Sequence, residues 1–288
     1  MIVLKISVHL WTNYIKTMRT LVHLSDVHFG RVDYAIVDGL VEKINEIAPN
    51  LVVLSGDLTQ RARSAQFIEA RAFLDKLPQP QIVVPGNHDI PMDNVFARFA
   101  TPLAKYKKYI TNDLQPFYTD EEIAVVGVNT ARSLTVKDGR INEEQIARVR
   151  EKMCFLPNEV VKIIVSHHPF DLPEGFDEDD IVGRAVLAMK TLAECGADVF
   201  LAGHLHVSHI GNTAHRYKID GHSALVIQAG TATSTRGRGE ANSFNVIRIE
   251  KGRLIVERFE WQTEQAQFAP AKSEEFEQTA KGWVRSDN

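Results

Sequence analysis

Five short apolar runs that each lead into polar side chains constrain the fold more than any other feature of this sequence. The runs cover residues 20–24, 51–54, 82–84, 160–165 and 199–202, and each is followed within a few residues by Asp, Asn or His. Apolar runs of this length are typical of strands buried on both faces. Open α/β sheets place their ligands at the carboxyl ends of such strands. The pattern therefore predicts that polar groups from five strands gather at one edge.

Helical periodicity separates the first three runs. Apolar residues recur at helical spacing from 36 to 47 and again from 67 to 77, where Ser64 is a plausible N-cap. The resulting β-α-β-α-β order predicts a parallel core with right-handed crossovers. Further along, Asn142 and Gln145 have the spacing of a capping box, and a helix is expected from about residue 184 to 195, ending at Gly196.

The period of the apolar pattern changes from helical to two after His206. Residues 215–219, 225–229, 244–249 and 254–261 are predicted as successive antiparallel strands, with Lys251-Gly252 as a hairpin turn. A chain that is α/β first and mostly β later favours two packed sheets flanked by helices. We expect one domain over residues 18–261. Residues 262–288 are polar and acidic, and we interpret them as a tail or a docked helix.

The first 17 residues are interpreted separately. They are mildly apolar, but polar residues such as Lys5 and Lys16 interrupt them, and they lack the continuous apolar region and small-residue cleavage site of a signal peptide. Met18 lies just before the first predicted strand. We therefore favour a non-essential extension with the functional start at Met18, and the alternatives are a short extra strand or a surface helix.

Charge and cysteine content restrict the protein's surroundings and partners. A formal net charge of −4 argues against a dedicated nucleic-acid binder, which usually carries a basic stripe. No apolar stretch approaches the ~20 residues of a membrane-spanning helix. Cys154 and Cys195 stand far apart in helix-like stretches, which favours buried reduced thiols in a cytoplasmic protein. The sequence leaves the oligomeric state open, a homodimer included.

The polar residues after the five runs have the chemistry of metal ligands. Two positions apart on an extended segment, side chains point the same way, so Asp26 can meet His28 and His204 can meet His206. The full candidate set is Asp26, His28, Asp57, Asn87, His167, His204 and His206. Mixed imidazole and carboxylate ligands suit Zn, Mn, Fe or Co. Seven ligands exceed the needs of one ion and predict two divalent transition-metal ions, with Asp57 as the candidate bridge.

Five sequence blocks resemble the calcineurin-like metallophosphoesterases. They are Asp26-x-His28, Gly56-Asp57, Gly86-Asn87-His88-Asp89, His167-His168-Pro169 and Gly203-His204-x-His206, and they occur in the family's order. The resemblance implies an α/β fold, a four-layer α-β-β-α sandwich of two mixed sheets flanked by helices. It implies a dinuclear site bridged by Asp57, with a metal-bridging hydroxide as the nucleophile. It further implies Asp26, His28 and His206 on one ion and Asn87, His167 and His204 on the other.

Several neighbours of the predicted ligands are candidates for catalysis or substrate binding. His88 follows a ligand and is expected to act as general acid or to stabilise charge at the leaving oxygen. Asp89 either orients His88 or caps the next helix. His168 either contacts substrate or makes a structural hydrogen bond. Arg132 and Arg236 lie in loops suited to phosphate contacts, although a solvated loop is the alternative.

Within the superfamily, the chain looks like class III cyclic nucleotide phosphodiesterases. The shared features are its length, the His-His-Pro and Gly-His-Leu-His blocks and the absence of a large extra domain. The resemblance implies hydrolysis of cyclic nucleotides or similar small phosphodiesters. One alternative is a DNA exonuclease, because the block from Ser25 to Gly30 is also similar to recombination-repair exonucleases. The other is a metal-free scaffold on the same fold, which would be expected to have lost ligands.

Overall fold

The computed structural model describes residues 18–134, 137–219, 222–235, 239–280 and 282–286. The prediction of a non-essential extension over residues 1–17 lies outside these ranges. Across the described ranges, no helix combines the length and apolar character needed to cross a membrane.

Thirteen strands, numbered along the chain, form two mixed sheets in the described residues. The first sheet contains β1 (Arg19–Leu24), β2 (Leu51–Leu54), β3 (Gln81–Val83), β10 (Ser243–Glu250), β11 (Arg253–Gln262), β12 (Gln267–Thr279) and β13 (Gly282–Arg285), in the order β13-β12-β11-β10-β1-β2-β3. The second contains β4 (Phe117–Thr119), β5 (Ile123–Val128), β6 (Val161–Ser166), β7 (Ala197–Ala202), β8 (His209–Asn212) and β9 (Leu225–Gln228), in the order β4-β5-β6-β7-β9-β8. Strands β1, β2 and β3 are parallel, as are β5, β6, β7 and β9.

Helices cover the outer face of each sheet. Their bounds are α1 (Tyr34–Ile47), α2 (Ser64–Asp75), α3 (Val95–Ala100), α4 (Ala104–Tyr109), α5 (Glu143–Met153) and α6 (Ala185–Glu194). Leu40 of α1 and Phe67 of α2 belong to the core of the first sheet, and Met189 of α6 belongs to that of the second. A third core fills the space between the sheets, where Leu21 and Ile163 are fully buried. The strands are buried on both faces, which confirms the predicted four-layer α-β-β-α sandwich.

Three predictions of secondary structure are wrong in detail. Ser64 is the first residue of α2, and Arg63 occupies the N-cap. Residues 215–219 are not a strand. The strand of this region is β8, which precedes them and is followed by a 3₁₀ turn at Thr213–His215. Strand β9 runs parallel to β7 in the second sheet and is not part of an antiparallel series with β10.

The interpretation of residues 262–288 as a tail or docked helix is also wrong. Strands β12 and β13 extend the first sheet, and β12 pairs with β11 along most of its length. The isolated aromatic residues explain this, since Phe268 packs against Phe244 and Trp261, and Trp283 is fully buried. The polar residues between them remain largely exposed, which is why the segment reads as a polar tail in the sequence.

The prediction of reduced thiols is wrong, because Cys154 and Cys195 form a disulfide. Cys154 is the C-cap of α5 and Cys195 is the C-cap of α6, and these helices pack side by side. Their Cα atoms are 4.1 Å apart. Because disulfides are rare in reducing compartments, the expectation of a cytoplasmic protein loses the support it drew from the thiols.

Candidate metal centre

The seven predicted metal ligands are buried and converge at one edge of the sandwich. They follow the carboxyl ends of β1, β2 and β3 in the first sheet and of β6 and β7 in the second. Candidate ligand atoms of Asp26, His28 and His206 lie within 4.8 Å of one another, as do those of Asp26, Asp57 and His167. The predicted gathering of polar groups is therefore present, and both sheets contribute to it.

The first cluster is centred on Asp26. Its Oδ1 lies 3.5 Å from Nε2 of His28 and 3.5 Å from Nε2 of His206. The two imidazole rings stack with centroids 5.2 Å apart. Two ring nitrogens and a carboxylate oxygen thus face a common point, which is the donor set expected around one transition-metal ion.

The second cluster contains His167, Asn87 and His204. Nε2 of His167 lies 3.0 Å from Oδ1 of Asn87 and 3.3 Å from Nδ1 of His204. Asp57 stands between the clusters, because its Oδ2 is 3.4 Å from Nε2 of His167 and 3.7 Å from Nε2 of His28. This is the position that a bridging carboxylate would occupy.

Unpartnered buried atoms show that these residues fit bound cations. Among the described residues, the buried side-chain atoms without a hydrogen-bond partner include Oδ1 of Asp26 and Nε2 of His28, which lie 3.5 Å apart in the first cluster. A buried polar atom left unpaired costs about 1–3 kcal/mol. Coordination of one metal ion would satisfy both atoms. The donor set and its burial therefore fit two divalent ions.

Hydrogen bonds on the far side of the rings fix two of the histidines. Nδ1–H of His167 donates to the carbonyl oxygen of Ser55 at 2.8 Å, which leaves Nε2 facing the centre. Nδ1 of His206 lies 2.8 Å from Oγ1 of Thr231. Such contacts set the ring orientation of metal-binding histidines. Thr231 lies in the loop that leads to Arg236, which was predicted to contact phosphate. The contact with Ser55 was missed because it uses a backbone carbonyl, which has no sequence signature.

Five of the seven predicted ligands have a left-handed backbone. The φ angles are 55° for Asp26, 52° for His28, 52° for Asp57, 72° for His204 and 59° for His206. Residues with a Cβ atom rarely adopt this conformation, and each instance costs on the order of 1–3 kcal/mol. Such strain persists only where the surrounding structure over-determines it, and it clusters at functional sites.

Gly203 allows the loop after β7 to approach the first cluster. A Cβ atom at this position would stand 1.7 Å from Oγ of Ser25 and 2.6 Å from Oδ2 of Asp26. The same carboxylate oxygen accepts a hydrogen bond from the backbone N–H of His204 at 3.0 Å. The glycine therefore lets a loop of the second sheet touch a ligand supplied by the first.

The charges within the centre favour ionised carboxylates. Burial acts to raise the pKa of Asp57, but the neighbouring His167 holds that pKa well below its usual range. Burial acts to lower the pKa of His167, and Asp57 raises it to about 9. Burial and then His167 lower the pKa of His204 to about 3. In the absence of metal, Asp57 and His167 thus form an ion pair, and the His204 imidazole is neutral.

His88 lies beside the centre and is held by the backbone. Its ring meets that of His28 edge-on with centroids 4.9 Å apart, and its backbone N–H donates to Oδ1 of Asp57 at 2.8 Å. Nδ1–H of the ring donates to the carbonyl oxygen of Gln60 at 2.9 Å. Gln60, rather than Asp89, therefore orients the His88 ring.

Asp89 joins two loops of the centre. Its carboxylate accepts hydrogen bonds from the backbone N–H groups of Gly86, Leu58 and Thr59 and from the Thr59 hydroxyl. Burial and then Asp57 raise the pKa of Asp89 to about 6. The expectation that Asp89 orients His88 is thus replaced by a role in holding the β2 and β3 loops together.

The structure describes two of the three predicted substrate contacts. The ring of His168 lies against two predicted ligands, with centroids 4.9 Å from that of His167 and 4.5 Å from that of His204. His168 is fully buried, its Nε2–H donates to the Lys137 carbonyl at 2.8 Å, and its Nδ1 accepts from the Thr130 hydroxyl at 2.8 Å. Of the two predicted roles of His168, the structural hydrogen bond is therefore favoured over substrate contact. Arg132 donates to carbonyls of its own loop and to Oε1 of Gln145. Arg236 lies outside the described residues.

Residues 19–208 match the family described as calcineurin-like phosphoesterase. The chain belongs to this family. The match extends from β1 through the loop after β7 and so includes the seven predicted ligands and His88. It ends before the strands β8 to β13, which complete both sheets.

Curated relatives are identical to this chain at about a quarter to a third of the aligned positions. The uncharacterized protein YpbG of Bacillus subtilis is 28% identical over 197 residues, which are 66% of this chain and 62% of that protein. The glycerophosphodiester phosphodiesterase GpdQ of Enterobacter lignolyticus is 34% identical over 65% of this chain and 70% of its own length. A probable cyclic nucleotide phosphodiesterase of Rhodopseudomonas palustris is 24% identical over 64% and 70%, respectively.

Solved structures share the fold at low sequence identity. The purple acid phosphatase PPD1 of yellow lupin superposes with a TM-score of 0.66 at 11% identity, covering 90% of this chain and 54% of its own. A dimetal phosphatase of Danio rerio superposes with a TM-score of 0.61 at 15% identity, covering 83% and 95%. Both agree with the four-layer architecture.

Proposed function

We propose that the protein is a dinuclear-metal-dependent phosphodiesterase that hydrolyses small phosphodiesters, cyclic nucleotides among them. The observation that carries the proposal is the position of Asp57 between two clusters of buried donor atoms, of which Oδ1 of Asp26 and Nε2 of His28 have no hydrogen-bond partner. When bound, two divalent ions would neutralise phosphate charge and activate a water molecule. A scaffold on this fold would be expected to have lost ligands, and this chain retains seven.

The residues of the chain divide this work. Asp26 and Asp57 stay ionised and would offset two of the four positive charges of two divalent metal ions. The centre would therefore still attract an anionic diester. Asn87 offers a neutral oxygen and leaves that charge unchanged. His88 has its Nδ1–H held by Gln60, so a proton given to the leaving oxygen would come from Nε2.

The relatives favour diesters over monoesters. One is named a glycerophosphodiester phosphodiesterase and another a probable cyclic nucleotide phosphodiesterase. Because the matched segments are about 70% of those proteins, the names support a class of bond rather than one substrate. The acidic net charge of −4 disfavours long nucleic acids, whose binding depends on basic contacts to phosphates.

A phosphoester panel with metal-reconstituted protein tests the proposal. The panel contains bis-para-nitrophenyl phosphate, the para-nitrophenyl monoester, cyclic AMP, a glycerophosphodiester and single-stranded DNA. We expect the small diesters to be hydrolysed faster than the monoester and the DNA, and we expect a chelator to abolish turnover. Preference for DNA would favour the exonuclease alternative, and a lack of turnover with bound metal would favour the scaffold.

A further inference from the structure

Helix α3 has an inverted amphipathic pattern. Its sequence, Val-Phe-Ala-Arg-Phe-Ala, buries Arg98 and exposes Val95, Phe96 and Phe99. Phe96 has 79% of its surface exposed. Exposed apolar side chains that cluster usually mark a binding surface, whereas scattered ones need no explanation. We call these three residues the α3 apolar strip.

Polar contacts of Arg98 tie α3 to two loops at the sheet edge where the metal centre lies. Nε of Arg98 donates to the carbonyl oxygen of Ser133 at 2.9 Å, and Nη1 donates to that of Pro91 at 3.4 Å. Pro91 lies two residues after Asp89, and Ser133 lies in the loop that leaves the carboxyl end of β5. Because β5 neighbours β6, whose loop supplies His167, both anchors belong to the edge where the centre lies. The buried arginine thus fixes an otherwise unstable helix orientation.

A second connection reaches the loop that orients His88. Asp93, two residues before α3, forms ion pairs with Arg63 at 3.2 Å and with Arg61 at 3.7 Å. Arg61 directly follows Gln60, whose carbonyl oxygen holds the His88 ring. Asp93 therefore ties the segment before α3 to the loop that orients His88.

We propose that the α3 apolar strip binds an aromatic or alkyl substituent esterified to the scissile phosphate. This inference rests on the proposed function and adds a substrate class to it. The small size of the strip favours this occupant over a protein partner. A stable protein interface uses about 20–30 residues on each side, whereas three side chains cover a single ring or short chain. Aromatic side chains also contribute stacking geometry to such a contact.

Two diesters with one common leaving group isolate the contribution of the strip. They are phenyl para-nitrophenyl phosphate and methyl para-nitrophenyl phosphate, each assayed with the metal-reconstituted full chain. We expect the ratio of kcat/KM for phenyl over methyl to fall about tenfold in the double variant Phe96→Ser, Phe99→Ser, on the order of what burial of one ring contributes. Phe96→Tyr, which retains an aromatic ring, is expected to keep the wild-type ratio.

A matched control lies on another helix. Val186 and Leu187 of α6 are exposed apolar residues on the outer layer of the second sheet, and Val186→Ser, Leu187→Ser should leave the ratio unchanged. An unchanged ratio in the strip variant, or an equal loss for both diesters, would overturn the inference while leaving diester hydrolysis intact. Hydrolysis of neither diester by the wild type would instead overturn the proposed function, and the inference with it. A wild-type dimer that the strip variant converts to monomer, with an unchanged ratio, would assign the strip to contacts between copies.

Discussion

Asp57 illustrates how much of the centre depends on individual residues, because its Oδ2 is within 3.7 Å of a histidine from each cluster. Asp57→Asn keeps the shape of the side chain and its acceptor for the His88 N–H, but it removes the charge. We expect the metal content to fall from about two ions per chain to one or fewer, and turnover to fall at least on the order of 10²-fold. Elemental analysis beside steady-state kinetics measures both quantities.

Asp198 provides the control for the Asp57 experiment. It is another largely buried carboxylate, and it accepts hydrogen bonds from the backbone of Lys162 and from Trp283 at the opposite end of β7. Asp198→Asn should retain two ions. Loss of metal in both variants would show that the effect comes from general destabilisation rather than from the bridge.

His88 tests leaving-group chemistry separately from metal binding. His88→Ala should keep both ions and lower kcat more than it changes KM, as expected when an interaction forms mainly in the transition state. General acid catalysis contributes roughly 10²–10⁴-fold, so cyclic AMP turnover should fall within that range. Para-nitrophenolate leaves without protonation, and bis-para-nitrophenyl phosphate should therefore be affected less. Equal losses on both substrates would assign His88 to charge stabilisation instead.

Among the elements, the loop between β7 and β8 closely approaches the loop after β1 at Gly203. Gly203→Ala would place a methyl group against Ser25 and Asp26, so the loop must shift and displace His204 and His206. We expect lower metal affinity together with a lower melting temperature. Calorimetry and a metal titration of the same samples check the two effects.

Gly175 provides a glycine at which an added methyl group would displace no neighbour. It has a φ of +84° but open space around its Cβ position. Gly175→Ala should therefore cost only backbone strain, on the order of 1 kcal/mol, with unchanged metal affinity. If Gly203→Ala resembles Gly175→Ala in both measurements, the close approach at Gly203 is not required by the centre.

The elements also show which parts of the structure can be predicted from the sequence. The buried strands were predictable because burial on both faces produces uninterrupted apolar runs, as in Leu51–Leu54. The residues after those runs were predictable as a group because strand ends meet at one edge. Strand β12 was not, since Phe268 and Phe276 are its only large apolar residues and most of its other residues are exposed. The contacts made by Ser55 and Gln60 were also beyond prediction, because they use backbone carbonyls.

At the scale of the whole molecule, the metal centre exists only while the two sheets are packed together. Asp26, Asp57 and Asn87 come from the first sheet, whereas His167, His204 and His206 come from the second. Trp283 of β13 helps to hold the far end of this packing, since it lies in the core between the sheets and its Nε1–H donates to Asp198 of β7 at 3.1 Å.

Trp283→Ala should therefore lower the free energy of unfolding by about 3–5 kcal/mol, the usual cost of removing a large buried aromatic side chain. Its neighbour Val284 is 46% exposed, so Val284→Ala should change that free energy by only about 0.5 kcal/mol. Urea denaturation of both variants measures the difference. Because Trp283 is remote from the ligands, the folded variant should still bind two ions. Equal, small effects of the two substitutions would mean that residues 282–286 do not pack against the sandwich, and would restore the interpretation of this segment as a tail.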